Sequence, residues 1–225
     1  MTHPAPRARH AIERLIGNRS GVAMTEFALA LTFMLPITLT GVEVGNLAVT
    51  TLRLNQLAMM TADNIARVRG SIDEVDVNEV MTGVGFAGQS INFGGQGRAI
   101  VSIVEGNGQT GAAEGNRITW QRCFGAKDVT SSYGLPGDGA TDNSLAAGVG
   151  PTGNKIRPVT NSALVLAELR YTYRPLVSTS FIPAVELHSL QSFSVRERAN
   201  QALTNTTNLT DAQKRLCDSA HLSAN

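Results

Sequence analysis

Between Gly21 and Val49 the chain reads GVAMTEFALALTFMLPITLTGVEVGNLAV, and from Phe27 to Val42 it holds no charged side chain. A run of that length predicts a helix able to cross a bilayer, whose core of about 30 Å takes roughly 20 helical residues. Beyond it the pattern changes without stopping. In Leu47 to Val68, Leu54, Leu57, Ala58, Thr61, Ile65 and Val68 recur at steps of three and four, the mark of a helix with one apolar stripe. One helix from about Ala23 to Arg69 is therefore expected. At 1.5 Å per residue it is about 70 Å long, so its second half stands outside the membrane and lays its stripe on a head. Pro36 removes one N–H inside the apolar half and is expected to kink or loosen the helix there. Gly41 and Gly45 form a GxxxG step, which is either a packing face for another helix or a chance spacing.

Gly70 breaks the helix. Ile72 to Met81 then predicts two more helical turns, followed by a glycine-rich stretch, Gly83 to Gly97, read as a flexible loop. Four runs read as strands: Ala99 to Val104, Arg117 to Cys123, Ala163 to Tyr173 and Val185 to Val195, each bounded by glycine, proline or asparagine. They suggest two antiparallel pairs, one joined by the polar tip Glu105 to Asn116 and the other by a turn between Arg174 and Pro183. Between the pairs, residues 125–161 are rich in Gly, Ser, Asp and Pro and predict a long surface excursion. Leu209 to Asp218 predicts a short helix with Thr210 as N-cap. The fold class is thus α+β: a long N-terminal transmembrane helix (22–69) after a basic leader (1–21), continuing into a mostly antiparallel β head (70–225).

Charge adds an orientation. Residues 1–20 carry Arg7, Arg9, Arg14 and Arg19 against Glu13 alone, which places the N-terminus in the cytoplasm and the head across the membrane. A cleaved secretory signal is the rival reading, but its apolar core is about 7–15 residues and this one is longer. A net charge of +1 with no cationic cluster in the head excludes nucleic acid as an expected partner. Cys123 and Cys217 stand outside any CxxC or CxxH spacing, so they make no zinc site. Outside the cytoplasm one disulfide is the economical reading, and two unpaired thiols are the alternative.

The chain contains no GxSxG, GxxxxGK or HExxH pattern, and its GGQG precedes a strand instead of following one. No catalytic role, cofactor, metal or small-molecule substrate is expected. The Asn-x-Thr triplets at Asn205 and Asn208 need no glycosylation to explain them, and Trp120 is expected in the core of the head. Glu26 is the exception among polar residues, because a carboxylate at the edge of an apolar span costs free energy. At a helix centre the cost is roughly 2.5–3.5 kcal/mol, and it is less near the ends. Either Glu26 sits in the headgroup layer, or it pairs with a positive charge brought into the membrane by another chain or by a new N-terminus.

Gly21 followed by Thr25, Glu26, Phe27 and the apolar helix resembles a prepilin motif, with glutamate at the fifth position after the glycine. Glu26, Phe27, Leu35, Pro36, Gly41 and Glu43 together resemble the TadE-like minor pseudopilins of tight-adherence pilus systems most closely. The likeness covers about residues 19–62, with weaker echoes in ITWQRC, LRYTYRPL and SFSVRERA. Thr25 replaces the more usual Val, and Asn46 follows Gly45 where an aromatic or Arg is more common. The resemblance implies a pilin-like periplasmic head and cleavage by a prepilin peptidase between Gly21 and Val22. It also implies a pairing of Glu26 with an amine of the next subunit. Its implied partners are other pilins or pseudopilins, the inner-membrane pilus assembly platform and membrane lipid. The alternative is a single-pass tether for an unrelated periplasmic binding or enzymatic domain.

Overall fold

The structure is a computed structural model that describes residues 20–177, 183–198 and 200–223. The chain falls into two compact units, Met1–Asn46 and Leu47–Asn225. One helix, α1 (Ser20–Arg67), contributes to both and runs through Pro36 without interruption. It ends where Gly70 adopts φ 71°, a left-handed conformation that glycine enters without a Cβ clash.

In the second unit four strands, β2 (Gly97–Gly106), β3 (Asn116–Phe124), β4 (Ala163–Tyr173) and β5 (Val185–Ser194), form an antiparallel sheet in the order β3-β2-β4-β5. The two central strands are apolar nearly throughout because both their faces are covered. On one face Val101, Ile103, Val165, Ala167 and Leu169 pack against Leu54, Leu57, Ala58, Ala62 and Ile65 of α1. On the other, Val104, Leu164 and Leu166 meet Ile118 and Val149, with Tyr133, Leu145 and Ile156 over them. Trp120 is buried in the first of these cores and donates its indole N–H to the Gln201 carbonyl at 2.8 Å.

The stretch after α1 departs from expectation. β1 (Ile72–Asp73) pairs in parallel with β6 (Leu203–Thr204), and α2 (Glu74–Ala87) is twice as long as two turns. Asp73 caps α2 in a capping box with Asp76, and Val77, Met81 and Val84 bury one stripe. The region read as a flexible loop is ordered: α2 runs past Gly83 and Gly85, and the GGQG run lies in a short helix, α3 (Phe93–Gln96), and its cap. Glycine serves close approach here, since a Cβ on Gly88 or Gly97 would lie 2.6 Å from Phe93.

Two further expectations need correction. Residues 125–161 are irregular, yet they form the cover over the second face of the sheet. Glu168 of β4, 1% exposed, accepts from Ser131 Oγ at 2.8 Å and from the Ser132 N–H at 3.1 Å, while Val149 and Ile156 pair by backbone. The expected helix Leu209–Asp218 is only a 3-10 turn at Asp211–Gln213, capped by Thr210. Lys214 is already extended, and the chain then runs beside the edge strand β3, with Cys123 N–H bonded to the Arg215 carbonyl at 2.7 Å. Part of the turn placed between Arg174 and Pro183 lies outside the described residues.

Cys123 and Cys217 are disulfide-bonded, with Cα atoms 4.9 Å apart and a sequence separation of 94. Arg198, buried at 6% exposure, closes α1 by donating from Nη1 to the carbonyls of Ile65 at 3.1 Å and Val68 at 3.2 Å. Ile65 lies in the last turn and Val68 just beyond it, so both carbonyls are at the negative end of the helix dipole.

Replacing both cysteines with alanine is expected to lower the unfolding free energy of the head by about 2–5 kcal/mol, read from urea titrations. A second expectation concerns acid. The Asp73 carboxyl is held down from 3.8 to about 2, first by the Thr206 N–H, then by the Val75 N–H and the hydroxyls of Thr204 and Thr206. A depressed carboxyl stabilises the fold above its ordinary pKa and loses that contribution as pH falls through its folded value. Asp73→Asn should therefore flatten the decline in melting temperature between about pH 4 and pH 2.

Candidate functional site

The candidate site is the first unit's helical surface and the turn that opens it. Val22, Phe27, Phe33 and Ile37 are 57%, 64%, 71% and 72% exposed, and Met24, Leu29, Met34 and Val44 are similarly open. Water disfavours such a cylinder, which is apolar on all sides. The helix Gly21–Arg67 is long and apolar enough to cross a membrane. Three of its hydroxyls suit a medium without water, because they find carbonyls in their own helix. Thr25 Oγ1 donates to Val22 O at 2.8 Å, Thr32 Oγ1 to Ala28 O at 2.9 Å and Thr38 Oγ1 to Met34 O at 2.8 Å.

Gly21, Val22, Glu26 and Phe27 fall within two turns at the start of α1, all of them exposed. Gly21 and Val22 lie in the helix, where glycine costs about 1 kcal/mol relative to alanine, so the backbone is more easily opened at Gly21 than at its neighbours. Nothing lies within 4 Å of a Cβ built on Gly21. Val22 and Glu26 are four residues apart and share one helix face.

Farther along, Gly41 and Gly45 stand open, with nothing within 4 Å of either built Cβ, whereas Glu43 between them is buried at 4% exposure. The cysteines lie in the other unit, on β3 and in the segment beside it, and take no part in this surface.

Within the head, buried charges hold elements together. Arg122 of β3 makes a two-pronged contact with Glu74 of α2, Nε to Oε2 at 2.8 Å and Nη2 to Oε1. Arg170 Nε and His188 Nε2 lie 3.0 and 3.2 Å from Glu168 Oε1. Burial pushes the His188 imidazole below its ordinary value. Arg198, Asp73 and Glu168 were missed in the sequence because no local pattern marks a partner 30 to 130 residues away. Among the described residues, no group of three or more His, Cys, Asp or Glu is placed to hold a metal ion. No family model, curated protein or solved structure matches the chain.

If this surface meets lipid, Phe33→Arg should raise the apparent insertion free energy of the segment by about 3 kcal/mol, as measured in a translocon insertion assay. A change within error would show that the segment is not a span.

Proposed function

We propose that the chain is a minor pseudopilin of the TadE-like type, anchored once in a bacterial inner membrane with its N-terminus in the cytoplasm and its head in the periplasm. A prepilin peptidase cuts it between Gly21 and Val22, and the product takes part in assembling a tight-adherence pilus used for surface attachment. The observation that carries this reading is the register of Gly21 and Glu26 at the start of an exposed apolar helix. A simple tether needs the apolar length but neither the glycine nor the carboxylate.

The chemistry follows from that register. Cleavage leaves an α-amino group on Val22 at the membrane edge, and Glu26 offers the matching carboxylate. In a packed array of such helices the amine of one chain meets the glutamate of the next. In low dielectric the pair is favoured chiefly because either charge left alone is costly. The open apolar faces around Pro36, Gly41 and Gly45 supply the surface along which other pilin helices pack. Leu35 and Phe27 lie on the same exposed cylinder.

The test is the mature N-terminus, read by intact mass and terminal peptide mapping with and without a prepilin peptidase. A peptidase-dependent product beginning at Val22, lost in Gly21→Ala, is expected. Glu26→Ala should then be cut normally and fail to assemble. A chain left whole at Gly21 would favour the tether, and a cut beyond the apolar run would mean ordinary secretion.

A further inference from the structure

The four-stranded sheet has two edges, β3 and β5, and they are finished differently. Along β3, Ile118 donates its N–H to the Asp138 carbonyl at 3.0 Å and accepts from the Gly137 N–H at 2.8 Å. Farther on, Cys123 meets Arg215 and Gly125 bridges Ser223, so the chain closes this edge itself. At the other edge β5 pairs with β4 without a break, from Leu164 with Ser194 to Tyr173 with Val185. The Val195 N–H donates to the Ala163 carbonyl at 2.9 Å, which sets the alternation. Odd-numbered residues of β5 turn their N–H and C=O groups to β4, and Glu186, His188, Leu190, Ser192 and Ser194 turn theirs outward. Among the described residues, none of these outward backbone groups has a hydrogen-bond partner.

β5 also lacks the features that keep other strands away from an edge. Lysine, proline or a bulge serves that purpose in most sheets, and β5 has none of the three. Its two ionisable side chains are drawn back over the sheet. Glu186 accepts from Thr172 Oγ1 at 2.7 Å and from Lys127 Nζ at 2.9 Å. His188 Nε2 lies 3.2 Å from Glu168 Oε1, and its ring stacks on Tyr133. The open backbone row is thus left without a charge standing in front of it.

We propose that β5 is a docking edge for an extended segment of a different protein chain, which joins this sheet as a fifth strand. An unbroken row of alternating N–H and C=O groups is complementary to extended backbone, so the ladder itself identifies the occupant as a polypeptide strand. The side chains specify which strand. Leu187 and Phe193 are half-buried on the face that α1 covers, and Leu190 is half-buried on the other. An antiparallel partner therefore carries apolar residues at every third position, opposite Phe193, Leu190 and Leu187. Hydroxyl or amide residues stand between them, opposite Ser192, Gln191, Ser189 and His188. A second copy's β5 has this spacing too. Antiparallel pairing of identical edges, however, places a twofold axis normal to the sheet, so the stretches of α1 packed on the two heads run in opposite directions. Chains sharing one membrane run the same way, and this choice of occupant rests on the reading that α1 spans a membrane.

The test uses the full oxidised chain in nanodiscs of phosphatidylethanolamine and phosphatidylglycerol, with amide hydrogen exchange read residue by residue. The probe is the blocked peptide Thr-Leu-Ser-Thr-Val-Thr-Gln-Leu-Thr, whose leucines meet Phe193 and Leu187 and whose valine meets Leu190. At ten times its Kd, the peptide should slow exchange at His188, Leu190 and Ser192 about ten-fold. The odd-numbered amides of β5, already bonded to β4, should keep their rates. N-methylation of the valine, whose N–H faces β5, should abolish the effect. N-methylation of the threonine before it, whose N–H faces away, should not.

No slowing at peptide concentrations up to millimolar overturns the proposal. Slowing that survives methylation of the valine overturns it equally, since adhesion through side chains needs no ladder. Outward amides that are protected before peptide is added also overturn it: protection lost on dilution marks a second copy, and protection kept marks cover by the chain itself. Copurification of the chain with the discs is scored separately. Its failure removes the spanning reading, and the exchange experiment is then read on the free chain.

Discussion

The head depends on the burial of one stripe of α1. Leu54, Leu57, Ala58, Ala62, Ile65 and Ala66 are each at most 4% exposed, and they cover the inner faces of β2 and β4. Each large aliphatic side chain so buried is worth about 1.5–3 kcal/mol. Without the helix, Val101, Ile103, Val165 and Leu169 would face water. The same helix is covered by protein on one side of its second half, whereas its first half is exposed and apolar all round before Asn46.

Charge fixes what the apolar stripe leaves free. Glu74 with Arg122 joins α2 to β3, Glu168 draws the irregular cover onto β4, and Arg198 ties the end of α1 to the segment after β5. Each is a buried group whose partner is specified in geometry, so sliding either element by one residue would strand a charge away from water. Such pairs add less to stability than to the choice of one packing among several apolar ones.

The large elements were legible in the sequence because their patterns are local. The change from an all-round apolar run to a three-and-four spacing showed α1 and the stripe that it buries, and the β-branched runs showed all four strands of the sheet within about two residues at either end. The failures arose where local signs mean two things. Glycines 83 to 97 read as freedom, but several are there because Phe93 and Phe124 leave no room for a Cβ. Residues 125–161 lack periodicity because their order comes from bonds to the sheet instead of from regular backbone. The two-residue pairing of β1 with β6 carries no sequence signal, since its partners are about 130 positions apart. For the candidate site the sequence supplied the residues, and the fold added that Gly21, Val22, Glu26 and Phe27 are all exposed on the helix.

The disulfide orders events in time. Cys123 ends β3 and Cys217 lies 94 residues on, with β4 and β5 between them. A chain made from its N-terminus holds Cys123 before residue 217 exists, so the first thiol has no partner until β4 and β5 have been made. The backbone beside β3 stays open until residue 215 arrives to meet Cys123. Closure of the native bond therefore follows the synthesis of all four strands of the sheet.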